Sequence, residues 1–159
     1  ERLIIPGGES TTMGKILMRT GLDTLLRQRI AAGMPVWGTC AGMILLAQKI
    51  IDEQPHLNLM DIVVRRNAYG NQLDSFTTTQ LIPAVAAEPI PLVFIRAPWV
   101  EQVGPNVSVL AEHKGKIIAA QQEQMLVTSF HPELTTNLAF YQYFLQLGET
   151  TKDKEKRAV

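Results

Sequence analysis

Pro35-Val36-Trp37-Gly38-Thr39-Cys40-Ala41-Gly42-Met43-Ile44-Leu45-Leu46-Ala47 carries a short apolar run into the only cysteine of the chain and out again into an apolar, helix-like stretch. This reads as a strand that bends sharply into a helix, with the side chain at the bend held out between two flanking glycines. A nucleophile belongs in such a place. The helix start puts backbone N–H groups and the positive dipole end beside the sulfur, which favours thiolate and offers donors to a developing oxyanion. On these residues alone, a buried cysteine in a tight turn is the alternative.

Upstream, Arg2-Leu3-Ile4-Ile5-Pro6 reads as a strand that runs into the loop Gly7-Gly8-Glu9-Ser10. Ser10 or Thr11 is the expected cap of a helix carrying Met13, Ile16 and Leu17, ended by Gly21. Leu22, Leu25, Leu26 and Ile30 repeat the helical spacing as far as Ala31-Ala32-Gly33. After the strand around Val36 and Trp37, the helix that follows Cys40 is expected to run to about Ile50, before the loop Asp52-Glu53-Gln54-Pro55.

Downstream the pattern changes to short β-like runs at Ile62-Val64, Leu92-Ile95, Val107-Leu110, Lys116-Ala120 and Met125-Phe130. His113-Lys114-Gly115-Lys116 and Gln122-Glu123-Gln124 read as hairpin connections. From about Asn137 to Leu147, the spacing predicts a helix with Leu138, Tyr141, Phe144 and Leu145 on one face. The expected architecture is α/β, with a mixed, largely parallel central sheet flanked by helices. Its domain is expected to occupy residues 1–148, followed by a charged, solvated tail at 149–159. Sites in such sheets lie at the carboxyl ends of strands, where both Gly7-Gly8 and Cys40 fall.

The chain has 159 residues, about the length of a single domain with one sizeable core. Fifteen basic and fifteen acidic side chains give no global field toward nucleic acid or an anionic membrane. A single cysteine forms no internal disulfide, and the first residues lack the layout of a secretory signal, so a cytoplasmic location is expected. No apolar segment approaches the roughly 18 residues of a membrane span. Asn106-Val107-Ser108 matches a glycosylation acceptor and reads as a chance match in a loop.

A thiol nucleophile needs a base that takes its proton and later returns it to the leaving group. His56 and His113 fall in polar connections and read as solvated. His131 follows a β-like run and is tied through Pro132 to Glu133, a carboxylate able to hold the imidazole in one tautomer and to stabilise its cation. A surface His-Pro-Glu turn is the competing reading. Gly7-Gly8-Glu9-Ser10-Thr11 followed by Gly14-Lys15 fails as a phosphate-binding P-loop: the glycines are one residue too far apart, and Ile16 stands where Ser or Thr is required. As a backbone donor loop facing the thiol it makes sense. Arg66 or Arg96 suits the carboxylate of a free amino acid and Glu9 its ammonium, although each arginine alone reads as solvated charge. No Cys/His cluster points to a metal.

Gly38-Thr39-Cys40-Ala41-Gly42 and Phe130-His131-Pro132-Glu133-Leu134, with their separation along the chain, resemble class I glutamine amidotransferases, which have a flavodoxin-like fold. Within that family three further blocks resemble the glutaminase subunits of pyridoxal 5′-phosphate synthases. They are Pro6-Gly7-Gly8-Glu9-Ser10-Thr11-Thr12, the stretch from Arg66 through Asn71-Gln72 and Asp74-Ser75-Phe76, and Phe94-Ile95-Arg96-Ala97-Pro98.

The resemblance implies Cys40 as nucleophile, His131 as acid and base, and Glu133 as orienter. It further implies Gly8, Glu9, Ser10, Arg66, Ile95 and Arg96 as glutamine-holding positions, and Gly8 and Ala41 as oxyanion donors. No cofactor is implied; the partners are L-glutamine and a barrel-fold pyridoxal 5′-phosphate synthase subunit that receives ammonia. Family members begin with a strand and helix expected before Glu1, so the domain reads as N-terminally incomplete. A glutaminase of another synthase, a γ-glutamyl peptidase and a truncated, inactive partner-binding module remain as alternatives.

Overall fold

The structure, a computed structural model, describes residues 1–66 and 75–149. The expected blocks at Asn67–Gln72 and Asp74, and the tail from 150 onward, lie outside the described residues. In chain order the elements are β1 (Leu3–Ile5), α1 (Ser10–Thr20), α2 (Leu22–Ala31), β2 (Val36–Thr39), α3 (Ala41–Leu46), β3 (Ala47–Ile50) and β4 (Met60–Arg65). They continue with β5 (Ser75–Gln80), β6 (Ile90–Ile95), β7 (Trp99–Val103), β8 (Ser108–His113), β9 (Lys116–Gln122), β10 (Met125–Thr128), a 3-10 turn at Pro132–Leu134 and α4 (Ala139–Gln146).

The main sheet runs β1-β2-β10-β9-β7-β4-β3, with β8 paired to β9, while β5 and β6 form a separate antiparallel ribbon. The sheet is mixed. Its parallel parts are β1–β2–β10 and β3–β4, and the strands between and beside them pair antiparallel. The last strand of the sequence therefore lies beside β2, in register from Met125 opposite Val36 to Thr128 opposite Thr39. That register brings the chain that follows β10 to the same sheet edge as the chain that follows β2.

Pleating sends alternate residues of these strands to opposite faces. Val36, Met125 and Val127 join the cluster that contains Met43, Leu45 and Leu46 of α3, whereas Trp37 and Leu126 join a second cluster with Phe94, Phe130, Phe140 and Phe144. The Trp37 indole packs against the rings of Phe140, Tyr141 and Phe144, with centroids at 6.0, 5.2 and 5.7 Å, and donates its N–H to Thr128 Oγ1 at 3.1 Å. A wide aromatic ring thus reaches α4, and its one polar atom is satisfied inside the core.

Four local expectations are corrected. Glu9, rather than Ser10 or Thr11, caps α1: its carboxylate accepts from the N–H groups of Thr11 at 3.1 Å and Thr12 at 2.7 Å, and Ser10 is the first helical residue. The helix after Cys40 ends at Leu46 and not near Ile50, because the chain leaves it to pair in parallel with β4, Ala47 opposite Met60 and Ile50 opposite Val64. On α4 the buried face is Phe140 and Phe144, while Leu138 and Leu145 are 60% and 44% exposed, since the aromatic pair fits the space beside Trp37. Besides β3, two strands lie outside the expected β-like runs: β5, whose Ser-Phe-Thr-Thr-Thr-Gln has little apolar content, and β7, whose middle carries Glu101 and Gln102.

The glycines of the elbow serve packing. A Cβ on Gly42 would stand 2.2 Å from the Ile5 carbonyl oxygen, and one on Gly38 would stand 2.5 Å from the Gly42 backbone. Backbone, rather than a flexible side chain, occupies both spaces, so α3 lies directly on β1 and β2. Replacing Gly42 with alanine is expected to lower stability by about 2 kcal/mol or more through overpacking. A denaturant titration that leaves the midpoint unchanged would contradict this account.

Candidate active site

Five chain segments converge at the carboxyl ends of β1, β2, β4, β6 and β10. They enclose a cavity of about 410 Å3 lined by Gly8, Glu9, Ser10, Cys40, Ala41, Ile44, Arg66, Ile95, Arg96, Pro98 and His131. Every wall-forming residue expected from the sequence is here. Glu133, the remaining one, stands behind the wall, with its Oε1 at 2.7 Å from His131 Nδ1.

The bend at Cys40 is carried by the cysteine itself, with φ 50° and ψ −104°, a conformation unusual for a side chain with a Cβ. It is held from both sides: Cys40 N–H donates to Thr128 O at 2.8 Å, and the Cys40 carbonyl accepts from Met43 N–H at 3.0 Å. The cysteine is 8% exposed, and its Sγ lies 4.0 Å from the Ile95 carbonyl oxygen. Burial pushes the thiol up to about 11; the Ala41 N–H pulls it down, the Glu133 charge pushes it up, and the Arg96 charge pulls it down. The expected thiolate is therefore not the resting form. Burial outweighs the donors of the helix start, and a base must take the proton when the thiol reacts.

His131 lines the same cavity as the thiol. Its backbone N–H is fixed on Val93 O at 2.8 Å, and its ring lies against Gly7, where a Cβ would come within 2.5 Å of Cε1. A carboxylate at Nδ1 favours the proton on that nitrogen and leaves Nε2 as the acceptor. Nε2 is buried and has no hydrogen-bond partner among the described residues. The result is an oriented imidazole with an unused lone pair, in the wall of the cavity that also holds the thiol.

The opposite part of the wall is charged. Glu9 Oε1 accepts from Thr11 N–H and from Arg66 Nη2 at 3.1 Å, and Oε2 from the N–H and hydroxyl of Thr12 at 2.7 and 2.6 Å. The bonds from Thr12 and Thr11, the Thr12 hydroxyl first, hold the Glu9 carboxyl down to about 2. Arg66 also donates through Nη1 to both oxygens of Glu53 at 2.9 and 2.8 Å and to Thr11 Oγ1 at 3.1 Å. The reading of Arg66 as a solvated charge is corrected: its guanidinium lies between two carboxylates. Arg96 is exposed, has φ 44° and has no ion-pair partner among the described residues. Ser10 Oγ is buried and unpartnered among the described residues. Gly8 has φ 152°, which favours glycine, and Ala41 N–H is directed at the Cys40 sulfur.

The other histidines are corrected as well. His56 is half-buried against Gly14 of α1, with Nε2 enclosed and burial pulling its pKa down. His113 stacks on Phe76 and Phe94 at 5.6 and 6.0 Å. Ile44, Pro98 and Glu53 escaped the sequence reading. Ile44 was detectable as the residue one helical turn beyond Cys40, and Pro98 as the end of the Phe94–Pro98 block, while nothing local marks Glu53. Among the described residues no group of three or more His, Cys, Asp or Glu converges as a metal would require.

Since the thiolate is the nucleophile, Cys40 alkylation should be slow at pH 7 and keep rising through pH 9 toward about 11. A pH–rate profile with iodoacetamide that levels off near pH 8.5, the ordinary thiol range of about 8 to 9, would contradict the burial effect.

Residues 1–150 match the model of the SNO glutamine amidotransferase family. The chain is 57% identical over 149 residues to the pyridoxal 5′-phosphate synthase subunit PdxT of Thermoanaerobacter sp., a match covering 93% of this chain and 79% of that protein. It is 55% identical over 148 residues to the PdxT of Clostridium acetobutylicum, covering 92% and 80%. Among solved structures, a glutamine amidotransferase crystal structure superposes with TM-score 0.85 at 40% identity, covering 91% of this chain and 77% of that one. A GMP synthase-like protein of Thermoplasma acidophilum shares the fold at TM-score 0.57 and 10% identity, covering 97% and 96%.

Proposed function

Because the chain belongs to the SNO glutamine amidotransferase family, we propose that it releases ammonia from L-glutamine through a thioester on Cys40 and supplies it to a pyridoxal 5′-phosphate synthase subunit. The name of its relatives carries the destination of the ammonia. The observation that carries the chemistry is the oriented His131, with Glu133 on Nδ1 and a buried, unused Nε2 in the wall shared with Cys40.

His131 Nε2 takes the thiol proton as sulfur attacks the side-chain amide carbon. The oxygen of the tetrahedral adduct becomes negative and is met by backbone N–H groups at Gly8 and Ala41. The imidazolium returns its proton to the amide nitrogen, the C–N bond breaks, and ammonia leaves a thioester on Cys40. Water, deprotonated by the same nitrogen, attacks the thioester carbon, and the C–S bond breaks to give glutamate and the thiol. Glu133 stabilises the imidazolium in both halves without itself being protonated.

A pKa near 11 suits this sequence, because a thiol that remains neutral until an amide is positioned keeps a reactive sulfur from other electrophiles. The amino-acid end of glutamine is assigned to Glu9, Ser10, Arg66, Ile95 and Arg96. Two features support this: Arg96 offers a guanidinium for the α-carboxylate, and the Glu9 carboxylate remains charged across the working range. The partner is proposed as a barrel-fold subunit that takes up the ammonia.

Cys40→Ala is expected to abolish glutamate formation from glutamine in the assembled synthase. Glu133→Gln is expected to lower kcat roughly 10³-fold with a smaller change in KM, because the imidazole loses its tautomer and its counter-charge. Ammonia release by Cys40→Ala at the wild-type rate would overturn the assigned nucleophile. A Glu133→Gln enzyme with unchanged kcat would remove Glu133 from the triad.

A further inference from the structure

We propose that Glu53, which lies outside the cavity wall, is a positioning residue that sets the affinity for glutamine through Arg66. The inference rests on the glutaminase reading above and deepens it. Arg66 is held from two sides, by Glu9 on Nη2 and by both oxygens of Glu53 on Nη1. The Glu53 bonds are the shorter ones, at 2.9 and 2.8 Å against 3.1 Å for Glu9. Glu53 follows the turn after β3, where Ile50 and Glu53 form an isolated bridge, and Arg66 directly follows β4, the strand paired with β3. The fork is thus built on two adjoining strands and brought to the start of α1 through Glu9 and Thr11.

Charge gives the fork its effect. Two carboxylates and one guanidinium leave one surplus negative charge beside the cavity, and with Glu53 neutralised Glu9 and Arg66 would cancel. The Glu9 oxygens already accept four hydrogen bonds, from Thr11, Arg66 and twice from Thr12, which fills a carboxylate's usual lone-pair capacity. A substrate ammonium therefore meets the field of the cluster more than a vacant Glu9 lone pair. Glu53 supplies the excess charge of that field and also holds the Arg66 guanidinium in its place in the cavity wall beside Glu9. Neither Glu53 nor Arg66 is among the charges that act on the Cys40 thiol, so the influence falls on binding.

The test is glutaminase kinetics of the assembled synthase with Glu53→Gln and Glu53→Asp. Glu53→Gln is expected to raise KM for glutamine about fivefold with kcat within twofold of wild type, and this excess KM should shrink as ionic strength rises. Glu53→Asp keeps the charge while shortening the fork, and is expected to stay within about twofold of the wild-type KM. Unchanged KM in Glu53→Gln, a loss confined to kcat, or an equal defect in both variants would overturn the inference. A wild-type complex that releases no ammonia from glutamine would overturn the glutaminase reading and this inference with it, whereas normal wild-type turnover with an inert Glu53→Gln would overturn this inference alone.

Discussion

The direct contact of α3 with the backbone of β1 is the constraint on which the site depends. Gly42 meets the Ile5 carbonyl, and Gly38 meets the Gly42 backbone, with no room for a Cβ at either place. Between these two close contacts the chain bends at the cysteine, which takes up a positive-φ conformation. The strain at Cys40 is held by hydrogen bonds from β10 and α3 and by buried neighbours on both faces of the sheet. A looser elbow would let the sulfur rotate toward solvent, and with it the burial that sets its protonation would be lost.

The second dependence is the parallel pairing of β2 with β10. Because Thr39 and Thr128 stand opposite each other, the strand end that delivers Cys40 also delivers Phe130 and His131. Phe130 is fully enclosed by Phe94 and Phe140, so the chain is anchored one residue before the imidazole. The placement of Cys40 and His131 is therefore a property of the core. Two residues far apart in sequence are placed by hydrophobic packing and ladder register, and a short polar link to Glu133 then fixes the ring.

The two halves of the cavity are tuned differently. Around the thiol, burial dominates and keeps the group neutral. At Glu9, which is exposed, the helix-capping donors of Thr11 and Thr12 hold the carboxylate charged. A neutral buried thiol and a charged exposed carboxylate thus share one cavity wall. A carboxylate can cap a helix and shape a ligand site at once, because both tasks require only that it remain ionised.

The sequence by itself determined the α/β order of the first elements, the strand–cysteine–helix elbow, the hairpins at Lys114-Gly115 and Glu123, and the pairing of histidine with the nearby glutamate. Each of these is set by local chemistry: glycine and proline positions, apolar periodicity and short spacing. Tertiary structure alone decided that α3 gives way at Leu46 to β3, that Thr-rich β5 is a strand, and that Phe140 joins the expected Phe144 in the core while Leu138 and Leu145 do not. It also decided the burial that pushes the Cys40 thiol up, the partners of Arg66 and the presence of Glu53 behind it. Those features depend on which distant backbone and charge come to lie alongside, and neither strand pairing nor burial is written in the residues next to them.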